Sequence, residues 1–466
     1  MNFLEYFAGR GLTIDLDSGK VSPEILRPEE VERRVGGAAL NLALFQRYAQ
    51  SDPIILSAGP LTASFAPGSC LAVMTARSAV NGNIYHVPLT WQAGAELRFS
   101  GLDYLVILGR AAKPTMLRIR KGQGELSPAE NLWGKDIPET VRAIRAAYPA
   151  DSRCILAIGP AGEGRTLYAQ VGQNFWGTLD KAGFGAQWGR KKLKALLLTG
   201  IGGRLKVHPD HPALSRAFTE EIKKTIPHKV KGSLAVFRKL GEKSFDRGLV
   251  PPGAKPFACF HCPFPCQSYI DKKSSGLFSK KQKRMQTTLL LTDPGGSLAF
   301  QHQGKNAFSW LAECFRLGLE PMAAALLVGA RNGKTKESKP EALLHLIHQE
   351  ETLAARGVPN IQNLASWLCP ENGITAMAEK LGFSTGIPPI APEGTQSGQE
   401  VKEWARRVAY SLILGVCPIL TLIAPRMSEE KLIAFMGTED KEIGVNMGRL
   451  QAAARDLLGE MANPVA

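Results

Sequence analysis

The sequence predicts an α+β protein, with a β-rich N-terminal domain over residues 1–203 and a mainly α-helical region over residues 204–466. Three observations carry this reading. Up to about residue 202 the chain is rich in aliphatic runs of strand length, most of them with Gly, Pro or Asp close by. From about His208 the apolar spacing turns helical. A chain of 466 residues also exceeds one typical core, so two or three domains are expected.

The expected strands include Ile54–Gly59, Tyr104–Gly109, Met116–Arg120, Cys154–Gly159 and Ala195–Thr199. Short helices separate some of them, notably Pro138–Tyr148 with its Val141, Ile144 and Tyr148 stripe. The expected helices of the second region are His211–Thr225, Leu234–Leu240, Ala307–Gly318, Met322–Ala330, Glu341–Arg356, Thr375–Leu381, Glu400–Ile413, Glu429–Met436 and Asn446–Met461. Pro388–Gly398 reads as a linker or long loop, and there is no internal repeat. The N-terminus lacks a basic segment followed by an apolar one, so no signal peptide is expected. No apolar stretch approaches a membrane span. With eight cysteines and no export signal, the chain is expected to be cytoplasmic, with reduced thiols.

Most of the chemistry lies in Phe257–Cys266, where Cys259, Cys262 and Cys266 form a C-x2-C-x3-C array. Such close-set thiolates can converge on one metal centre, and Pro263 and Pro265 oppose helix and hold the segment in turn or extended geometry. The set suits an iron–sulfur cluster that takes a fourth thiolate from elsewhere, a zinc ion, or cysteines without metal. Cys70, Cys154, Cys314 and Cys369 are isolated and read as small core residues. There are 57 Lys and Arg against 42 Asp and Glu, a net charge of +15, and the excess is partly local. Lys272, Lys273, Lys280, Lys281, Lys283 and Arg284 follow the array, as a solvated loop or a docking surface for an acidic electron carrier. No nucleic-acid-binding signature accompanies the charge. Glycine clusters at Gly36–Gly37, Gly59–Thr62, Pro67–Ser69 and Gly183–Ala186 permit close backbone approach, and converging N–H groups there could hold a phosphate; none is a P-loop.

The order of several segments carries a resemblance. These are Ile14–Val21, Val35–Leu40, Ala58–Thr62 with Ala66–Ser69, Phe99–Tyr104, Leu132–Asp136, Ile158–Glu163, Gly183–Ala186 and Leu193–Ala195, then the cysteine array and Leu414-Gly415-Val416-Cys417. In that order and approximate spacing the chain resembles the aldehyde:ferredoxin oxidoreductase family of tungsten–pterin enzymes. The resemblance implies a β-rich pterin-binding base followed by helical domains. It implies a [4Fe-4S] cluster on Cys259, Cys262, Cys266 and Cys417, beside a tungsten (or molybdenum) bis-pyranopterin. It assigns pterin contacts to Arg77, Lys181, Gly183, Gly185, Ala186, Gly415 and Val416, and ferredoxin or another acidic carrier as partner.

The chain departs from the family pattern on the pterin side. Leu412 stands where the family's D-x-x-G-L/V-C motif has aspartate, and Glu320 replaces an aspartate in Leu317–Ala325. Val87–Trp91 loses the asparagine and glycines of a polar segment. The usual G-R-G-G is Asp180-Lys181-Ala182-Gly183, which keeps a cation without the guanidinium fork. Arg284–Asp293 holds no counterpart of the family's glutamate, and His345 and His348 do not align with its active-site histidine. No catalytic residue is therefore named, and the chain is shorter than the family's enzymes. Two readings follow. One is a compact oxidoreductase that oxidises an aldehyde to a carboxylic acid and passes electrons through the cluster to ferredoxin. The other is a cluster-bearing electron-transfer or structural subunit, without the tungstopterin, beside a paralogous catalytic subunit; a homodimer is the other assembly weighed.

Overall fold

The computed structural model describes residues 7–203 apart from Trp176 and Leu179, and Leu4 before them, then 210–225, 255–265, 267–270, 289–291, 307–321, 323–324, 343, 398–418, 420, 432–433 and 447–462. Two mixed sheets form the N-terminal part. The first has six strands in the order β2-β1-β6-β3-β4-β5, namely Lys20–Ile25, Arg10–Asp15, Tyr104–Leu108, Ile54–Ala58, Ala72–Arg77 and Ile84–Leu89. Strands β1 and β6 run parallel, and the other neighbours are antiparallel. The central strand Ile54-Ile-Leu-Ser-Ala58 is buried throughout, as an aliphatic run covered on both faces should be. The two prolines within this sheet, Pro23 and Pro88, lie in the edge strands β2 and β5, where a missing N–H is tolerated.

The second sheet has the order β10-β9-β11-β7-β8: Gly172–Gln173, Cys154–Ala157, Leu193–Thr199, Thr115–Arg120 and Gln123–Pro128. Its middle strand β11 is buried along its whole length yet contains Lys194. The ammonium donates to the carbonyls of Lys135 and Ile158, both at 2.8 Å, and pairs with Glu163. A charge there persists because each of its three protons has an acceptor. The predicted helix beside this sheet runs Ile137–Ala147 and starts at a capping box: Asp136 accepts from the Glu139 N–H and Glu139 accepts from the Asp136 N–H. Val141 and Ile144 of its stripe are buried, and Tyr148 caps its end.

Four helices predicted in the second region are present at Val-Leu-rich or amphipathic stretches: His211–Thr225, Ala307–Leu317, Gly398–Leu414 and Met447–Ala462. The last two pack on each other and on the helix Gly37–Arg47. Val408, Leu412, Leu450, Ala453 and Leu457 are buried there in one core with Leu40 and Leu44; full burial of each leucine contributes about 1.5–3 kcal/mol. That core ties the second region to the first sheet. Strands β12–β14 (Lys255–Phe257, Gln267–Ile270 and Leu289–Leu291) form a small antiparallel sheet that the helical reading had not included. Leu234–Leu240 and Thr375–Leu381 lie outside the described residues, as does nearly all of Glu341–Arg356 and Pro388–Gly398. Among the described residues no helix is long and apolar enough to cross a membrane.

Candidate metal centre and the pterin-type loops

Three backbone segments bring the cysteines together. The first is the β3–β4 connection, Gly59–Leu71, pinned by internal hydrogen bonds: Thr62 Oγ1 donates to the Leu71 carbonyl (2.7 Å) and Ser69 Oγ to the Ser64 carbonyl (2.8 Å). The second is Ala258–Pro265, which follows β12. Phe260 N–H donates to the Trp91 carbonyl (2.9 Å), Gly68 N–H to the His261 carbonyl (2.9 Å), and the Trp91 and Phe257 rings lie 4.4 Å apart. The His261 ring donates to the Phe65 carbonyl at 2.9 Å. The third is the end of the helix Gly398–Leu414. Gly415 adopts φ +81°, so its N–H and that of Val416 both return to the Ser411 carbonyl at 3.0 Å. This left-handed cap turns the chain so that Cys417 N–H donates to the Gly68 carbonyl at 2.9 Å.

Cys259 and Cys417 therefore both come near Cys262, across a long stretch of sequence. Cys262 N–H donates to the Cys259 carbonyl (3.2 Å), which closes the turn between the two. Burial, and then the neighbouring Cys259 and Cys417, push the Cys262 thiol well above its ordinary range. Cys266 lies outside the described residues, as do Lys272–Arg284, His345 and His348.

A fourth thiol joins them that the sequence reading had set aside. Cys70 is wholly buried, as a small core residue should be, but it is not isolated. The Cys259 thiol beside it, then burial, with Cys417 and Cys262 also near, push the Cys70 thiol well above its ordinary range. The Cys259 thiol is in turn lowered, first by Cys70, against burial, and then by the nearby Trp91 N–H and Thr90 hydroxyl. Thr90 and Trp91 belong to the segment in which the family's polar residues are lost. No spacing rule could have found them, since they approach Cys259 only through the exit of β5.

Among the described residues, no three Cys, His, Asp or Glu groups are gathered as for a single metal ion. The donors near one another here are all sulfur, a chemistry that fits an iron–sulfur cluster.

The loops assigned to the pterin are arranged differently. Asp180 is wholly buried: Oδ2 accepts from the N–H groups of Phe184 (3.0 Å) and Val171 (3.3 Å), and Oδ1 from that of Ala182 (3.0 Å). Of the Gly183–Ala186 N–H groups that the sequence offered to a phosphate, the protein's own carboxylate takes that of Phe184. Lys181 Nζ lies 4.0 Å from Glu320 Oε1, so the two charged residues of the altered motifs face each other. Gly183 and Gly185 leave room for the backbone of Leu167 and of Ala169–Gln170, and Ala186 is buried beside Ala161 and Trp310. Arg77 pairs with Asp52 at 3.7 Å and lies over the Phe45 ring. Leu412 is buried in the helix packing. As these side chains stand, the cradle around Asp180 does not fit a pterin phosphate.

Burial outweighs the surrounding N–H donors and pushes the Asp180 carboxyl up to about 7, from an ordinary 3.8. Between those values the native protein keeps a proton that the unfolded chain has released. The stability tied to Asp180 is thus full below about pH 4 and is lost as the pH rises through about 7. Urea unfolding from pH 4 to 8 should carry this decline at roughly 1.4 kcal/mol per pH unit, and Asp180→Asn should flatten it. The same slope in the variant would show that Asp180 titrates normally.

The model of the aldehyde ferredoxin oxidoreductase N-terminal domain matches residues 11–200. The tungsten-containing aldehyde ferredoxin oxidoreductase of Thermococcus kodakarensis is 33% identical over 200 residues, which are 41% of this chain and 33% of that protein. The Pyrococcus furiosus protein of the same description is 32% identical over the same shares. The WOR-like subunit of aliphatic sulfonate oxidoreductase from P. furiosus is 25% identical over 46% of this chain and 38% of its own. The match thus spans about a third of the length of these tungsten-containing relatives. Among solved structures, the active site complex BamBC of benzoyl coenzyme A reductase, bound to 1,5-dienoyl-CoA, superposes with a TM-score of 0.70. That likeness covers 98% of this chain and 89% of the other at 16% identity, and shows a common fold. Residues 11–200 thus match the N-terminal domain of the aldehyde ferredoxin oxidoreductases, and over that part the chain is similar to them.

Proposed function

We propose that this chain is an iron–sulfur oxidoreductase of the family, with a [4Fe-4S] cluster on Cys259, Cys262, Cys266 and Cys417 as its working redox group. The observation that carries the reading is the approach of Cys259 and Cys417 to Cys262 from segments about 150 residues apart. The cluster takes up and releases electrons one at a time. Oxidation of an aldehyde with water to a carboxylic acid releases two electrons and two protons, and a cluster held by these cysteines would supply one-electron transfer for each of the two electrons. An acidic carrier such as ferredoxin would dock at the basic run Lys272–Arg284, and exchange with it should slow as salt is raised. An exchange rate indifferent to salt would remove that docking site.

The likeness to tungsten-containing relatives supports oxidation within this chain at a tungsten (or molybdenum) pterin centre. A second reading is favoured by Asp180: the chain serves as a cluster-bearing electron-transfer subunit, and a paralogous partner holds the pterin. No step is assigned here to the pterin, because the Asp180 cradle does not fit its phosphate.

Protein purified anaerobically from a cofactor-competent host decides between them. About four iron and four sulfide per chain are expected in either case. Tungsten or molybdenum near one per chain, with pterin fluorescence after denaturation, establishes the first reading; their absence establishes the second. Absence of iron and sulfide removes both.

A further inference from the structure

Among the described residues three large apolar side chains stand exposed, Ile25, Phe65 and Phe260. Ile25 is a single residue of the edge strand β2, and single exposed aliphatics are ordinary. The other two belong to one row of rings. Phe65 meets the exposed His261 edge-on at 5.7 Å, His261 lies 6.2 Å from Phe260, and Phe260 meets Phe99 edge-on at 5.8 Å. The row crosses the β3–β4 connection, the cysteine loop and the end of the helix Ala93–Phe99. Backbone bonds fix it there: Phe260 N–H donates to the Trp91 carbonyl and Gly68 N–H to the His261 carbonyl, both at 2.9 Å. His261 Nε2 donates to the Phe65 carbonyl at 2.9 Å and lies 3.3 Å from Ser215 Oγ. His261 also keeps a left-handed φ of +49°, a conformation retained only where the surroundings impose it. Rings held at the surface, rather than folded inward, leave apolar area for another molecule to cover.

We propose that this aromatic row is the face on which an acidic redox carrier protein seats, with Phe65 and Phe260 as its apolar contacts. The inference rests on the reading that Cys259 and Cys262 hold a [4Fe-4S] cluster, and deepens it by placing the carrier's contact. Phe260 and His261 are the residues between those two cysteines, so a partner that covers the rings sits against the cluster's own loop. One electron then passes from the reduced cluster to the oxidised carrier, with no bond made or broken. Charge selects the occupant. The chain carries a net +15, and the basic run Lys272–Arg284 follows the cysteine array in sequence. An acidic protein is drawn to such a chain from a distance, whereas a second copy of the same charge is repelled. Charges steer the approach and are screened by salt, while ring contacts act at close range and are not.

The test compares the full chain with Phe65→Ser, Phe260→Ser and Ile25→Ser, all reconstituted anaerobically with iron and sulfide. The probe is an acidic plant-type ferredoxin; its Kd is measured by calorimetry at low and high salt, and the mass of the chain in solution by light scattering. About four iron per chain are expected throughout. Phe65→Ser and Phe260→Ser should each weaken binding about tenfold, by the same factor at both salt concentrations, while Ile25→Ser leaves the Kd unchanged. An iron-loaded parent that does not bind the ferredoxin overturns the proposal. So do ring variants that bind as the parent does, or a loss in Ile25→Ser as large as theirs. A parent dimer that Phe65→Ser converts to monomer overturns it too, since a second copy then covers the row. Should Phe260→Ser lose its iron, Phe65→Ser decides alone, because it lies outside the cysteine loop. A parent chain that takes up no iron or sulfide removes the cluster reading instead, which separates that failure from this one.

Discussion

Cys262→Ser should lose the cluster, with iron falling from about four to below about one per chain and the visible charge-transfer absorption disappearing. A serine hydroxyl is nearly isosteric with the thiol but is a far poorer ligand for iron at neutral pH, since it must give up a proton of much higher pKa. The surrounding loop does not depend on the thiol for its shape. Phe260 N–H to Trp91, Gly68 N–H to His261 and Cys262 N–H to Cys259 are backbone bonds, and all survive the change. The one side-chain bond of Cys262, to the Phe264 carbonyl at 3.4 Å, can be taken over by the hydroxyl. Loss of iron with an unchanged apo-protein melting temperature would therefore report coordination rather than folding. A variant with full iron content and an unaltered spectrum would refute the ligand assignment.

Gly59→Ala should be the most destabilising small change in the β3–β4 connection. A Cβ at Gly59 would lie 2.2 Å from the Leu414 carbonyl carbon and 2.3 Å from the Gly415 nitrogen. Both are backbone atoms, so no side chain can swing aside; the helix end must move. That end also presents Cys417, and Leu61 N–H donates to the Leu414 carbonyl at 2.9 Å beside it. A cost of roughly 3 kcal/mol or more is expected, at the upper end for an overpacked site, together with reduced iron retention. Gly19→Ala is the comparison: its φ is +73° but nothing lies within 4 Å of the added methyl, so about 1 kcal/mol is expected. Urea denaturation of the two variants measures the difference. Equal, small losses would mean that the helix end is not seated against Gly59.

Several elements were legible because their causes are local. The run Ile54-Ile-Leu-Ser-Ala58 is a strand from composition and flanking turns, and Asp136-Ile-Pro-Glu139 announces a helix start through its capping box. The helix Gly398–Leu414 was read within two residues of its ends, since its apolar spacing is helical and Gly415 stops it. The helices Gly37–Arg47 and Phe184–Arg190 were read instead as glycine clusters. Their glycines are needed where another backbone comes close, and that neighbour is absent from the local sequence.

The metal centre divides in the same way. The close spacing of Cys259, Cys262 and Cys266 is a property of one short segment, so the sequence alone marked it as a candidate metal site, and resemblance added Cys417. Cys70, Thr90 and Trp91 join through a strand connection, a strand exit and a loop that meet only after the first sheet and the helix Gly398–Leu414 have packed. Asp180 likewise reads in sequence as a lost glycine, and only the folded loop brings the N–H groups of Val171, Ala182 and Phe184 around its carboxylate. Periodicity and spacing are written along the chain and determined the fold class and the presence of a thiol array. Which donors surround a sulfur, and which anion fills a cradle, is decided by groups distant in sequence that burial forces into contact, so tertiary structure alone settled both.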